Sequence, residues 1–295
     1  MSKREKQNKW KQLKAAVHLE VREHRASFLI FWTLRTLVLV ILVRQAFLRN
    51  YESVFICALT LALLYLPSLI QVKLRIELPP VLESIILCFI FAAEILGELG
   101  SFYVRVPHWD TMLHTANGFL AAAIGFSLAV LLNRNERIVF DLSPLFLAIV
   151  AFCFSMTIGV LWEFFECFMD LVFHTDTQKD TIIHSIYSVA LDPTRSNQVV
   201  GVTGITDAAV NGQSLGLGGY LDIGLLDTMK DLFVNFIGAM VFSIIGFAFL
   251  KRQGKGGVAG QFIPQSKTED HDYLKAVQQA QEEARKNGGS QRPKG

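Results

Sequence analysis

The chain has 295 residues, 52% of them hydrophobic and 18% charged, with a formal net charge of +2 and a mean hydropathy of +0.37. Apolar residues gathered in blocks of about twenty exclude an ordinary water-soluble domain and a disordered chain, and indicate helices that cross a bilayer. The cysteines, Cys57, Cys88, Cys153 and Cys167, lie inside the apolar blocks without CxxC spacing, which excludes a disulfide scaffold and a thiolate zinc site.

In chain order, residues 1–26 form a basic arm in which Trp10, Leu13, Val17 and Val21 recur at helical spacing among lysines. The pattern reads as an amphipathic cytoplasmic helix lying on anionic inner-leaflet lipid, with no nucleic-acid role. Residues 27–250 then hold six spans, about Phe28 to Leu48, Val54 to Ile70, Val81 to Leu99, Met112 to Leu132, Leu145 to Phe168 and Leu232 to Leu250. The first is expected to stay as a helix, because a long charged stretch precedes it, Arg35 interrupts it and no small-x-small cleavage site follows. Arg35 sits about two turns into that span, at the depth of Glu83 in the third, so a pair or a snorkelling side chain is expected there.

Residues 171–226 separate the last two spans and are too long for a plain connector. Ile182 to Leu191 reads as a short amphipathic helix ended by Pro193, opened by an Asp180, Thr181, His184 pattern that echoes Asp110, Thr111 and His114. Gln198 to Ile205, followed by the Asn211-Gly212 turn, reads as a small β-hairpin. Residues 251–295 begin with a Gly-rich basic linker, Lys251 to Gly260. Ser266 to Asn287 then reads as a soluble helix, with Ser266 and Glu269 in capping-box spacing and Gly288 as the stop, in a solvated tail or, as the alternative, a docking handle.

Lys and Arg set the orientation, because cytoplasmic loops carry the excess. Eight precede the first span, Lys73 and Arg75 follow the second, Arg134 and Arg137 follow the fourth, and nine lie in the tail. The opposite side holds only Arg44, Arg49, Arg105, Lys179, Arg195 and Lys230, so both termini are expected in the cytoplasm and the insert outside.

This topology gathers acidic residues at the outer ends of four spans. Glu94 and Glu98 end the third. Asp110 and His114 begin the fourth one turn apart, with Asn117 deeper; Glu163, Glu166 and Asp170 end the fifth; and Asp227, Asp231 and Asn235 begin the sixth. Carboxylates so close cannot all remain ionised and unpaired, so some protonate or a cation is bound. A carboxylate and His set without thiolate suits Mg, Mn, Ca or Zn, with Asp110, His114, Glu163, Glu166 and Asp231 as candidate ligands. His114, Glu163 and Asp110 are the candidate catalytic groups, and Asp227, Asn235, Glu94 and Glu98 the supporting ones. A structural alternative assigns Asp110 and Asp227 to helix N-caps, and Asn117 and Asn235 to interhelical hydrogen bonds beside Gly118 and Gly238.

Leu226, Asp227, Thr228, Asp231, Asn235, Gly238 and Ala239 together resemble the closing signature of the YjdF-type inner-membrane family. Trp109, Asp110, His114 and Gly118 resemble its earlier Asp/His segment, and Trp162, Glu163 and Glu166 its central acidic one. The order is more distantly similar to VanZ-like proteins, and the likeness covers about Val81 to Leu250. The closer family has no assigned activity and the VanZ-like group is linked to glycopeptide resistance. The resemblance therefore implies a multi-pass protein of the bacterial plasma membrane, from which this chain departs by its insert and its cytoplasmic extensions. Three readings stand for an all-α polytopic protein of this kind. They are a metal-dependent activity on lipid or envelope substrates, an ion- or proton-coupled transporter, and a scaffold without chemistry.

Overall fold

The computed structural model describes residues 3–23, 25–133, 142–252, 261–262, 265–267 and 271–289. The expected Lys251 to Gly260 linker lies outside them from residue 253 onward, as do Glu269, Arg134 and Arg137. The protein is an all-α polytopic membrane protein with, among the described residues, six helices long and apolar enough to span a bilayer: Ala26–Phe47, Tyr51–Leu74, Pro80–Leu99, Trp109–Val130, Pro144–Phe173 and Leu225–Lys251.

Helix α1 (Lys3–Glu20) precedes the first span, α2 (Arg25–Phe47). The second span is broken into α3 (Tyr51–Leu63) and α4 (Leu66–Leu74). Pro67 sits in the first turn of α4, where its missing N–H costs nothing, but its ring cannot continue the preceding helix. The third span is α5 (Pro80–Phe91), which passes into a wide π-helical stretch, Ala92–Leu99. A short α6 (Phe102–Arg105) leads to α7 (Trp109–Asn133), then α8 (Pro144–Phe173) and α9 (Leu225–Lys251). At about 1.5 Å per residue, the 30 residues of α8 exceed the hydrocarbon thickness by several turns, so its acidic end stands at the interface.

Helices α7, α8 and α9 pack as a tight trio. With apolar lipid outside, helix association depends on close backbone approach rather than on a hydrophobic drive, and small residues permit it. A Cβ on Gly118 would lie 2.1 Å from the Asn235 carbonyl, and one on Gly238 would lie 2.0 Å from the Thr115 carbonyl. Ser155 Oγ donates to the Gly118 carbonyl at 2.7 Å, and Phe126 and Phe242 fill the trio's core. Large apolar side chains such as Phe164, Phe165 and Phe168 face outward. Helices α2, α3 and α5 form a second layer around Phe31, Leu64, Leu87 and Ile90. Within it the Arg35 guanidinium lies over Tyr65 at 5.0 Å and Phe31 at 6.0 Å, while Glu83 accepts from Gln71 Nε2 at 3.0 Å.

On the side of the molecule that holds the termini, β1 (Ile76–Glu77) is the first strand. On the opposite side, the connection between α8 and α9 carries short antiparallel pairs rather than the expected helix over Ile182 to Leu191. Here β2 (Ile182–Ile183) pairs with β7 (Tyr220–Leu221), β3 (Ser185–Ser188) with β4 (Val200–Thr203), and β5 (Ala209–Val210) with β6 (Gln213–Ser214). The β-branched and aromatic residues Ile182, Ile183, Ile186 and Tyr187 favour strands over a helix. Asn211-Gly212, with both φ positive, makes the β5–β6 turn, whereas Val200 to Thr203 pairs backward in sequence. Asp180 to His184 is therefore not a second helix start.

The tail is docked rather than solvated. Strand β8 (Gln265–Ser266) pairs antiparallel with β1, which displaces the expected helix start from Ser266 to Tyr273 in α10 (Tyr273–Gly289). Asp272 Oδ1 accepts from Lys275 N there at 3.1 Å. Phe262 meets Phe119 edge to face at 5.5 Å, and Gln12 of α1 donates to Gln281 of α10 at 2.9 Å. Trp10 stays exposed on α1.

Candidate functional site

Three helix ends converge on His114. One turn into α7, His114 Nε2 stands 3.3 Å from Asp110 Oδ1 on the same helix and 3.9 Å from Asp231 Oδ2 on α9. Its other nitrogen, Nδ1, stands 3.8 Å from Glu163 Oε1 on α8. The imidazole is thus flanked by carboxylates on both edges, and His114, Glu163 and Asp231 are all buried. Two sets of ligand atoms lie close enough to share one ion, Asp110 with His114 and Asp231, and His114 with Glu163 and Glu166. Glu163 Oε2 is buried and receives no hydrogen bond among the described residues.

The cluster also holds a cation of its own. Lys230 Nζ lies 2.7 Å from Asp227 Oδ1, 3.4 Å from Asp110 Oδ2 and 3.5 Å from Asp231 Oδ1. Sequence reasoning counted Lys230 only as a nearby base. The signal available was its i, i+3 spacing from Asp227, which puts the two on one helix face.

The other candidates take different places. Asp227 is not the N-cap of α9. That position is Gly224, and the Asp222 carboxylate just before it accepts from Leu226 N at 2.8 Å and Gly224 N at 3.3 Å, while Asp227 Oδ2 accepts from Lys179 N at 2.9 Å and so ties the insert to α9. Asn235 lies a turn deeper, accepting from Asn117 Nδ2 at 3.2 Å and approaching Gly159 so closely that a Cβ there would meet its amide at 2.6 Å. Asp170 closes the end of α8, accepting from Thr177 N at 2.7 Å and Gln178 N at 2.8 Å. Gln178, which the sequence did not single out, donates to Thr228 Oγ1 at 2.5 Å. Glu94 and Glu98 belong to neither ligand set among the described residues. Both lie in the π-helical stretch that ends the third span.

The fold and this site define a multi-pass all-α membrane protein whose last three spans enclose a histidine among carboxylates at one end. The chain belongs to the family described as a predicted membrane protein (DUF2238), whose model matches residues 30–252 and so takes in every member of the cluster. No curated protein and no solved structure matches the chain.

Proposed function

We propose that this is a bacterial plasma-membrane protein with both termini cytoplasmic, whose outward-facing His114 site binds a divalent cation and acts on lipid or cell-envelope substrates. The observation that carries the reading is the buried Glu163 Oε2, which receives no hydrogen bond among the described residues and belongs to the carboxylate that faces the Nδ1 edge of His114. The donor set fits such an ion, being nitrogen and oxygen only.

The two edges of the imidazole divide the work. Lys230 supplies one positive charge to the Asp110 and Asp231 edge, whereas the Glu163 and Glu166 edge has no Lys or Arg in an ion pair among the described residues, so it is the edge that draws a cation. With its proton on Nε2 facing Asp110, His114 keeps the Nδ1 lone pair for the ion, and Asp110 fixes the ring's tautomer and angle. Glu163, Glu166 and His114 are then the ligands, and Asp231 and Asp227 hold Lys230 in place. A divalent ion there supplies Lewis acidity and an activated water.

Metal analysis of the detergent-purified protein tests this. About one equivalent of divalent metal is expected in the wild type, with loss in His114→Ala and at least a tenfold weaker affinity in Glu163→Gln. Metal-free wild-type protein that also fails to take up Mg, Mn, Ca or Zn on titration overturns the reading.

A further inference from the structure

A second constellation lies at the opposite end of the molecule, with Glu23 and His271 outside the stretch matched by the family model and Glu77 within it. Glu23 follows α1, Glu77 belongs to β1 and His271 lies two residues before the start of α10, so three distant segments each contribute one side chain. His271 Nδ1 stands 3.1 Å from Glu23 Oε1 and 3.5 Å from Glu77 Oε2, and one ligand atom from each lies within 4.8 Å of the others. Two ligands on one ion, each about 2.1 Å from it, are about 3.0 to 3.4 Å apart in octahedral or tetrahedral geometry. The His271 contacts, at 3.1 and 3.5 Å, lie within and just above that range.

A second, independent observation points to a missing ligand. The Glu23 side chain is only 8% exposed, and neither of its carboxylate oxygens receives a hydrogen bond among the described residues. Lys267 Nζ stays 3.7 Å from Oε2 because it is engaged with Glu20. His271 is half-exposed and gives an entry path from solvent.

We propose that Glu23, Glu77 and His271 form a divalent cation site that staples the tail to the N-terminal arm and the β1 connector. The frame is already held by the β1–β8 pairing and by Lys267 N donating to the Arg75 carbonyl at 3.0 Å, so the ion closes a set of side chains brought together by backbone. A nitrogen and oxygen donor set without sulfur takes Mg, Mn or Zn.

The experiment uses the full chain in detergent, stripped with chelator and titrated with Mn²⁺, with bound ion read by electron paramagnetic resonance and backbone exchange followed at residues 265–267. A His114→Ala, Glu163→Gln background separates this site from the one between the spans. In that background one Mn²⁺ is expected to bind and to slow exchange of the β8 amides about tenfold. His271→Ala, and separately Glu77→Gln, should each weaken binding at least tenfold and abolish the protection. Binding unaffected by both variants overturns the proposal. So does protection that follows the His271 protonation state without bound metal, which means that Nδ1 holds a proton only.

Discussion

Asp231 is almost fully buried, and the cation nearest to it, Lys230, also reaches Asp227 and Asp110 from a half-exposed position. Removing that cation leaves a buried carboxylate without compensation, which is costly where removing both partners is not. Lys230→Met is therefore expected to destabilise the protein by about 1–3 kcal/mol, the lower end reflecting solvent access to the ammonium. Adding Asp231→Asn should restore part of the loss. Thermal unfolding of the four proteins of the double-mutant cycle measures the coupling, and additive effects would show that the three contacts carry no net energy. The residue types of the cluster were readable from spacing alone, since Asp110, His114, Glu163 and Asp231 fall at one depth when spans are counted. What spacing could not supply was which carboxylates share a cation, because that depends on helix rotation, fixed by Gly118, Gly238 and Gly159 against their neighbours.

Helix contacts set by glycine also determine how far the elements can depart from their present register. On Gly238 a methyl group would meet backbone atoms, the Thr115 carbonyl at 2.0 Å and the Phe119 amide at 2.9 Å, and neither can rotate away. Gly238→Ala should force α7 and α9 apart, cost about 3 kcal/mol or more, and weaken metal uptake at His114 in step with a lower unfolding midpoint. Gly246→Ala meets only the edge of the Phe126 ring, at 2.8 Å, and should cost less. The insert shows how an element is misread when local pattern competes with pairing. Ile182 to Leu191 has helical spacing, yet its partners in Val200 to Thr203 and Tyr220 to Leu221 lie far along the chain. Asp192 then closes the turn. The Thr194 hydroxyl and amide, with the amides of Gln198 and Ser196, hold its carboxyl well below the usual carboxylate range. A depressed value means that the carboxylate's contribution is complete above the ordinary Asp range and is lost only as pH falls through the lowered one. Amide exchange at 192–198 should therefore be flat from neutral pH to about pH 4, once corrected for intrinsic rates, and Asp192→Asn should speed it at every pH.

Across the whole molecule, six spans were legible because a block of about twenty apolar residues carries its own signal. The break before Pro67 and the π-helical widening after Phe91 were not, since hydropathy reads composition and both features are backbone geometry. The docked tail was hidden for another reason. Its strand is two residues long and pairs with Ile76 and Glu77 almost two hundred positions away, a contact with no local trace. That docking places α1, the β1 connector and α10 at one end and the insert with the His114 cluster at the other, so one measurement orients everything. The basic residues concentrate at the α1 and α10 end, and in the topology we propose the positive-inside bias keeps that end in the cytoplasm and the insert outside. Ser214→Cys, in exposed β6, should react with a membrane-impermeant maleimide on intact cells, whereas Gln278→Cys in α10 should react only after permeabilisation. The opposite pattern would put the carboxylate cluster in the cytoplasm, where envelope substrates outside the membrane could not reach it.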